Sequence, residues 1–188
     1  MIVPDRDGRH WLVRPGVGTD VAALQDLEVD AARRFRDVGL DQIADDTPTT
    51  ESALEDAIVA GRLWVAVDRV SERVLGYVRV SVVDGVGHLD EVGVAIASGR
   101  RGIGASLIER ADTWARANDL LELTLTTFAN VPWNAPYYER LGFRAIADDH
   151  LGPGLRAIRD NEQAGGLDDQ SARVAMRRPT GRILSPSP

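Results

Sequence analysis

The stretch that decides the fold runs from residue 88 to residue 143, and it contains the segment SGRRGIGA at Ser98–Ala105. A β-branched run precedes this segment, and helical spacing follows it over Ile103–Asn118. Glycines at a junction between a strand and a helix let the backbone approach a ligand closely and turn successive N–H groups outward. The helix N-terminus adds partial positive charge, and Arg100 and Arg101 add forked donors. The segment therefore favours a pyrophosphate site.

Other interpretations of the same glycines stay open. Gly102 and Gly104 are also typical of a simple tight turn, with both arginines facing solvent. A dinucleotide-binding fingerprint fits poorly, because its third glycine would fall at Leu107 and no acidic ribose partner is evident. The GxxxxGK[ST] phosphate loop is excluded, since the chain contains no lysine.

The composition excludes several further kinds of chemistry. All 22 basic residues are arginine, and cysteine is absent as well. The chain therefore has no Schiff-base lysine, thiol nucleophile, zinc-thiolate site or disulfide. The histidines, His10, His88 and His150, are far apart in sequence, so no metal site is expected. The net charge of −7 argues against a nucleic-acid partner, which would require a basic stripe.

Neither a membrane partner nor a targeting segment is expected from the sequence. No apolar run reaches the roughly 18 residues of a membrane span. The N-terminal ten residues are polar and lack the apolar region of a signal peptide. A cytoplasmic location is therefore the expectation.

Outside the glycine segment, hydrophobic periodicity alternates between helix and strand. Helices are predicted over Thr19–Arg36, Ser52–Gly61, Ile103–Asn118, Asn134–Leu141 and Leu155–Gln163. Strands are predicted over Trp11–Arg14, Leu63–Val67, Val74–Val83, His88–Ile96, Leu121–Thr127 and Arg173–Arg178. The pattern predicts one mixed α/β domain of the α+β class over residues 1–178, with six or seven strands. A disordered tail is expected over residues 179–188, which contain three prolines.

Local signals refine these elements. Thr19 is the predicted N-cap of the first helix, and Ser52 is the predicted N-cap of the second, where Glu55 completes the spacing of a capping box. The stretch Leu40–Thr50 is acidic and rich in turn residues, so it is predicted to be a loop. The sequence DGVG at residues 84–87 predicts an antiparallel hairpin.

A second informative segment reads NAPYYERLGF at Asn134–Phe143. Asn134 is a plausible N-cap, and the proline that follows it lies in the first turn, where its missing N–H costs nothing. The adjacent tyrosines Tyr137 and Tyr138 point about 100° apart on a helix, so only one of them faces the core squarely. The other faces a neighbouring strand or a cleft, although a packed tyrosine with a satisfied hydroxyl remains the alternative.

Together, the two segments resemble the Gcn5-related N-acetyltransferase (GNAT) family. That family has a strand, an R/Q-x-x-G-x-G/A turn, a long helix, a second strand and a helix ending in Y-x-x-x-G-F. Gly102 and Gly104 match the turn, and Tyr138 with Gly142-Phe143 matches the final motif. The order of elements extends the resemblance over about residues 11–178. One departure concerns the R/Q position, which is Gly99 here, while Arg100 occupies a position that is often glycine.

The resemblance implies acetyl-coenzyme A as the cofactor. It also implies that a central mixed sheet, flanked by helices, splays between its fourth and fifth strands. The pantetheine arm would insert there and bind the backbone of Val92, Gly93 and Val94. The pyrophosphate would lie against Arg100, Arg101, Gly102, Ile103, Gly104, Ala105 and Ser106. Further candidates for cofactor contact are Asn134, Tyr137 and Arg140.

The chemistry implied by the resemblance is direct acetyl transfer to an amine. A lysine-like amine has a pKa of about 10.4 and must lose a proton before it attacks. Glu91, on the cofactor strand, is the first candidate for the base, and Asp90 and Glu28 are weaker candidates that would line the acceptor side. The leaving thiolate, with a pKa of about 8.5, requires a proton, and Tyr138 resembles the general acid.

The acceptor is predicted to be a cationic amine of a small molecule or a peptide. This expectation rests on an acidic acceptor wall formed by Asp41, Asp45, Asp46, Glu51 and Glu55. A coenzyme-A-binding regulatory module without catalysis is the alternative, and an interaction protein with a simple glycine turn is a third. The acceptor, the length of the acyl group and the oligomeric state stay open, a homodimer included.

Overall fold

The computed structural model describes residues 9–181 of the 188-residue chain. Within them, strands β1 to β7 are Trp11–Pro15, Leu63–Asp68, Val74–Val83, Val86–Val94, Glu122–Phe128, Arg144–Ala145 and Arg173–Pro179. Helices α1 to α7 are Val21–Ala32, Asp41–Ala44, Glu51–Val59, Ile103–Ala117, Ala135–Arg140, Pro153–Ala164 and Leu167–Gln170. None of these helices is long and apolar enough to cross a membrane.

The strands form one mixed sheet in the order β1-β2-β3-β4-β5-β7-β6. Antiparallel ladders join β1 to β2, β2 to β3, β5 to β7 and β6 to β7, whereas β4 and β5 are parallel. The link between β3 and β4 consists of Asp84 and Gly85, whose φ angles are 53° and 77°. Two positive φ angles are what a two-residue type I′ turn requires. The predicted hairpin is confirmed.

The ladder between β4 and β5 is short. Gly87 pairs with Leu123 and His88 pairs with Thr124, and both strands then continue. A Cβ atom at Gly87 would lie 2.8 Å from Leu123 Cδ2, so the space beside Gly87 is already filled. The Thr124 hydroxyl lies 2.9 Å from His88 Nδ1 and donates to the carbonyl of Gly87 at 3.2 Å. The predicted six- to seven-stranded mixed sheet, splayed between its fourth and fifth strands, is confirmed.

The described chain forms two compact units, residues 9–79 with 91–110 and residues 80–90 with 111–181. The core of the first unit combines side chains from α1, α3, β2 and β3. Its buried members are Val21, Leu24, Leu27, Leu54, Leu63, Val65, Val67 and Tyr77. Full burial of one such apolar side chain stabilises a fold by about 1.5–3 kcal/mol, so this cluster holds both helices against the strands.

In the second unit, the hairpin turn is bound to the start of α6. The Asp84 carboxylate accepts hydrogen bonds from the N–H groups of Gly154, at 2.7 Å, and Leu155, at 2.9 Å. These N–H groups have no partner within the helix, and a carboxylate at a helix N-terminus is favourable. Cβ atoms at Gly152 and Gly154 would lie 2.5 and 2.8 Å from oxygens of Asp84. The turn and the helix are therefore in close contact.

A buried ion pair joins α4 to β7 in the same unit. Arg178 is 0% exposed and Asp112 is 2% exposed, and their side chains meet at 3.1 Å. Arg178 also donates to the carbonyl of Leu141 at 3.1 Å, and its guanidinium lies 5.1 Å from the ring centroid of Phe143. The pair thus fixes the segment that follows α5.

Two predicted N-caps are wrong. Thr50, not Ser52, caps α3, because Thr50 has the extended backbone of a cap and its hydroxyl accepts from the N–H of Ala53 at 3.4 Å. Thr19 lies inside the 3-10 turn Gly18–Asp20, which precedes α1.

Several element boundaries also differ from the prediction. The first helix is α-helical only to Ala32 and continues as a 3-10 helix to Val38, where Gly39, with a φ of 75°, ends it. The predicted loop over residues 40–50 contains α2, because Leu40 and Ala44 lie one turn apart and are both buried. The predicted strand Leu121–Thr127 begins one residue later, at Glu122, and Leu121 is 78% exposed.

Besides α2, two labelled elements are absent from the sequence prediction, the strand β6 and the helix α7. They span two and four residues, which is too short for a periodicity to appear. At the C-terminal end, the N–H of Thr180 donates to the carbonyl of Leu121 at 3.0 Å. The remainder of the predicted disordered tail, residues 182–188, lies outside the described residues.

Candidate active site

The predicted phosphate-binding turn combines two left-handed residues with the start of a 15-residue helix. Arg100 has a φ of 59° and Gly102 has a φ of 78°, and α4 begins at the next residue. The N–H of Ser106 donates to the carbonyl of Gly102 at 3.1 Å, which makes it the first α-helical bond of α4. The N–H groups of residues 103–105 precede that bond and so have no intrahelical acceptor. They are the donors that an anion would meet.

The arginines of the turn are both exposed. Arg100 stands where the family pattern often has glycine, and its positive φ explains that preference. A left-handed conformation costs a residue with a side chain roughly 1–2 kcal/mol. This chain therefore keeps a strained backbone position and gains a second guanidinium beside the turn.

The residues present fit a pyrophosphate group. A Cβ atom at Gly102 would meet no atom within 4 Å, so that side of the turn is open. Ser98, just before the turn, is 1% exposed, and its hydroxyl has no hydrogen-bond partner among the described residues. A buried hydroxyl without a hydrogen-bond partner is unfavourable. Binding of a ligand that forms a hydrogen bond with Ser98 would therefore be favoured. Sequence reasoning did not select Ser98.

Ser106 differs from the other predicted phosphate ligands. Its N–H belongs to the helix, and its hydroxyl accepts a hydrogen bond from Arg9 at 3.0 Å. The Arg9 guanidinium also lies 5.2 Å from the centroid of the Trp11 ring. Sequence reasoning missed Arg9, because nothing in the local pattern links it to a helix almost a hundred residues away.

The predicted cofactor strand β4 presents different residues on its two faces. A Cβ atom at Gly93 would lie 2.8 Å from Tyr77 Cε1 and 3.0 Å from Leu27 Cδ2, so this face is directed towards α1 and β3. Glu91, two residues before Gly93, lies near enough to the Tyr77 hydroxyl for its charge to act on that group. Val92 and Val94 are half-buried and lie on the other face. Glu91 is exposed.

Glu28 is engaged through both carboxylate oxygens. The Tyr77 hydroxyl donates to Oε1, and the N–H of Thr49 donates to Oε2 at 2.7 Å. Burial raises the pKa of Tyr77 well above its usual value, and the negative charges of Glu91 and Glu28 raise it further. The structure thus brings two of the predicted carboxylates, Glu28 and Glu91, close to one buried phenol.

Asp90 does not belong to that pair. Its Oδ1 accepts a hydrogen bond from the Ser81 hydroxyl at 2.7 Å.

Part of the predicted acidic wall is neutralised within the chain. Arg36 forms an ion pair with Asp45, and its Nε lies 3.9 Å from Asp41 Oδ1. Asp46 accepts the N–H of the next residue at 2.7 Å.

In the second unit, three aromatic rings lie together on α5 and just after it. The rings of Tyr137 and Tyr138 have centroids 5.5 Å apart, and Tyr138 contacts Phe143 at 5.7 Å. Burial raises the pKa of Tyr137 to about 12, although the nearby charge of Arg140 opposes the shift. Tyr137 is therefore a weaker proton donor than an ordinary tyrosine.

Asn134 occupies the N-cap position of α5 as predicted, but its side chain makes no capping bond. Its Nδ2 donates instead to the Thr127 hydroxyl at 2.7 Å, while Oδ1 is buried without a partner among the described residues. The amide is therefore held in position while its Oδ1 can still accept a hydrogen bond, which agrees with a role in ligand contact.

Solved structures of acetyltransferases have the same fold. N-acetylglutamate synthase from Neisseria gonorrhoeae, complexed with coenzyme A and N-acetyl-glutamate, matches 92% of this chain at 14% identity with a TM-score of 0.67. This chain spans only 35% of that protein. The PaiA N-acetyltransferase from Thermoplasma acidophilum, in complex with coenzyme A, matches 90% of this chain and 98% of its own at 12% identity, with a TM-score of 0.61.

The ribosomal-protein-S18-alanine N-acetyltransferase from Escherichia coli is similar over 94% of this chain and 98% of its own, at 16% identity and a TM-score of 0.60. In sequence, residues 21–143 match the model of the acetyltransferase (GNAT) family. That match covers the phosphate turn, the splayed strands and the aromatic helix. The chain therefore belongs to the GNAT family and is an N-acetyltransferase that uses acetyl-coenzyme A.

Proposed function

We propose that this enzyme acetylates a cationic amine, with Glu91 as the base and Tyr138 as the acid. The observation that supports the amine class is the pair of carboxylates beside Tyr77. Glu28 accepts a hydrogen bond from the Tyr77 hydroxyl, and the charge of Glu91 acts on the same hydroxyl. Two negative charges beside one phenol favour a positively charged acceptor.

Binding of the cofactor is assigned to the turn and to β4. The N–H groups of residues 103–105, with Arg100 and Arg101, would hold the pyrophosphate, and the backbone of residues 92–94 would hold the pantetheine arm. When bound, acetyl-coenzyme A supplies the activated acetyl thioester. Asn134, Tyr137 and Arg140 are proposed as further contacts, and the unpartnered Oδ1 of Asn134 supports the first of them.

Glu91 is proposed to remove the proton that a protonated amine must lose before it attacks. It is exposed and lies on the same strand as the proposed cofactor backbone, so an acceptor from solvent reaches it. Glu28 is a poorer base, because both of its oxygens already accept hydrogen bonds within the chain. Asp90 already accepts a hydrogen bond from the Ser81 hydroxyl at 2.7 Å.

Tyr138 is proposed to donate the proton that the departing sulfur requires. An ordinary tyrosine pKa near 10 is reasonably matched to a thiol pKa near 8.5. The raised pKa of its neighbour Tyr137, about 12, makes that residue less suitable. Because the chain has no cysteine, a thioester of the enzyme is excluded, and direct transfer to the amine is the proposed route.

The proposal also includes a cytoplasmic location, where acetyl-coenzyme A is available, and no nucleic-acid partner. The net charge of −7 supports the second point, since nucleic-acid binding depends on neutralising phosphates with basic side chains.

The test is thiol release from acetyl-coenzyme A in the presence of a panel of acceptors. The cationic members are spermidine, agmatine, argininamide and an alanine-arginine dipeptide amide, and the acidic members are glutamate and aspartate. We expect faster release with the cationic amines. A preference for glutamate or aspartate would contradict the proposed acceptor class. Binding of coenzyme A without release by any acceptor would favour a regulatory module.

A further inference from the structure

The Thr49 clamp, as we call it, consists of residues 25, 28, 49 and 77, which lie together in the first unit. Gln25 and Glu28 are three residues apart on α1 and so share one face of the helix. Gln25 Nε2 donates to the carbonyl of Thr49 at 3.0 Å, and Glu28 Oε2 accepts the N–H of Thr49 at 2.7 Å. Two side chains of one helix therefore bind both polar groups of a residue outside it.

Tyr77 holds Glu28 in the position that this arrangement requires. Its hydroxyl donates to Glu28 Oε1, and its side chain is fully buried. The ring packs beside Gly93, where there is no room for a Cβ atom. Because a buried hydroxyl is costly to leave without a partner, Tyr77 and Glu28 constrain each other. The carboxylate is thereby oriented for its second bond, to Thr49.

The clamp lies near the proposed base on β4. Gly93 contacts the Tyr77 ring, and the charge of Glu91, two residues before Gly93, acts on the Tyr77 hydroxyl. An amine that gives its proton to Glu91 therefore approaches close to Tyr77. The chain around Thr49 is bound to the same layer, because Glu28 links it to Tyr77. The position of this segment is therefore expected to affect the affinity for an acceptor.

We propose that Tyr77 is a positioning residue that sets acceptor affinity through Glu28 and Thr49 without touching the acceptor. This inference rests on the proposed function. It changes the role of Glu28 from a direct substrate ligand to the link between a buried core residue and the segment before α3. It also gives Gln25 a role that its position on a helix surface does not suggest.

The first test measures amide hydrogen exchange at Thr49 in the full chain by NMR, without cofactor or acceptor. Tyr77→Phe keeps the ring and removes only the hydroxyl, and we expect exchange at Thr49 to become at least about tenfold faster. Gln25→Leu leaves the Tyr77–Glu28 bond in place, and a smaller acceleration is expected. Thr126→Val is the matched control, because it removes another hydroxyl that donates to a carboxylate, that of Glu162.

The second test measures initial rates with the best cationic amine among spermidine, agmatine, argininamide and the dipeptide amide. For Tyr77→Phe we expect the KM for that amine to rise about fivefold or more. We expect kcat to stay within about twofold, and the KM for acetyl-coenzyme A to stay unchanged. A residue that contributes only to stability would not raise the KM for the amine while leaving the KM for acetyl-coenzyme A unchanged.

The outcomes separate the inference from the proposed function. A wild-type enzyme that binds coenzyme A but acetylates no cationic amine overturns the proposed function, whatever the exchange data show. Unchanged exchange at Thr49 in folded Tyr77→Phe overturns the clamp, as does an unchanged KM for the amine. If Tyr77→Phe fails to fold, Gln25→Leu decides by the same two measurements, because Gln25 lies outside the buried core cluster.

Discussion

The ring of Tyr138 meets the ring of Phe143 edge to face, with centroids 5.7 Å apart and planes inclined by 74°. The N–H of Phe143 also donates to the carbonyl of Tyr138 at 3.0 Å. Phe143 is itself fully buried, beneath the guanidinium of Arg178. The direction of the Tyr138 side chain is thus set by a partner that has no freedom to move.

Replacing Tyr138 with phenylalanine tests the proposed acid. The ring contact with Phe143 survives this change, so only the proton donor is lost. We expect kcat to fall about 100-fold or more, with little change in coenzyme A affinity. Steady-state kinetics and calorimetric titration provide the two numbers. Tyr137→Phe is the control and should retain most of kcat, and unchanged turnover in Tyr138→Phe would remove Tyr138 from the role.

Gly93 is expected to tolerate no side chain. Gly93→Ala would place a methyl group 2.8 Å from Tyr77 Cε1 and 3.0 Å from Leu27 Cδ2, both in a packed core. We expect a loss of about 1–3 kcal/mol in the free energy of unfolding, measured with urea in the absence of cofactor. Gly18→Ala is the matched control, because a Cβ atom there meets nothing within 4 Å. Equal stability of the two variants would contradict this packing.

Arg100 is expected to have opposite effects on stability and on binding. Arg100→Gly removes the strain of a left-handed non-glycine residue, about 1–2 kcal/mol. It also adds roughly 0.5–1 kcal/mol to the entropic cost of folding, because glycine is more flexible when unfolded. Stability should therefore stay level or rise slightly, while affinity for coenzyme A falls through the loss of a charge. The backbone of Arg101 is not left-handed, so Arg101→Gly should lower both the stability and the affinity for coenzyme A. Thermal unfolding and calorimetry measure the pair, and a clear loss of stability in Arg100→Gly would refute the strain argument.

The buried pair of Arg178 and Asp112 should be costly to break from one side only. Arg178→Met removes one partner of the buried Asp112 carboxylate, which keeps its bond from Arg116 Nε at 3.1 Å, and we expect a loss of about 1.5–3 kcal/mol in urea unfolding. The double variant Arg178→Met/Asp112→Asn removes both charges and should recover much of that loss. A double variant no more stable than the single one would show that the bond from Arg178 to Leu141 matters more than the charges.

Glu162 on α6 makes stability sensitive to acid. Burial raises its pKa, but the hydrogen bonds from Arg173 and Thr126 outweigh this effect, so the pKa lies below its usual value of 4.5. The contribution of Glu162 is therefore complete above about pH 4.5 and is lost as the pH falls through the lower, folded value. Urea unfolding should show a Glu162→Gln variant to be less stable at pH 7, with the difference shrinking towards acid. An exposed change, Glu55→Gln, should show no such convergence.

The sequence predicted the elements whose patterns are long. The hairpin at Asp84-Gly85, the amphipathic helix α4 and the splay of β4 from β5 all follow from turn chemistry, periodicity or family resemblance. Errors arose where tertiary contacts override local patterns. Ser52 has the spacing of a capping box, yet Thr50 takes the extended backbone that a cap needs.

The parts of the site that could not be predicted depend on contacts between residues that are far apart in the sequence. Tyr77 and Glu28 are 49 residues apart, and Arg9 and Ser106 are 97 apart. No local spacing encodes such contacts. Glu28 was selected as a weak acceptor-side candidate because of its charge, whereas its partners Tyr77 and Thr49 carried no signal. The positive φ of Arg100 was equally invisible, although its departure from the family pattern marked the position.

The contact between the hairpin turn and α6 has a consequence for recognising near relatives of this enzyme. Asp84, Gly152 and Gly154 fit together so closely that a change at one position alters what the other two permit. These three positions should therefore vary as a set during divergence. A GNAT sequence that keeps all three, despite low overall identity, is expected to carry the same helix between its last two strands. That signature would separate this lineage from family members that share only the phosphate turn.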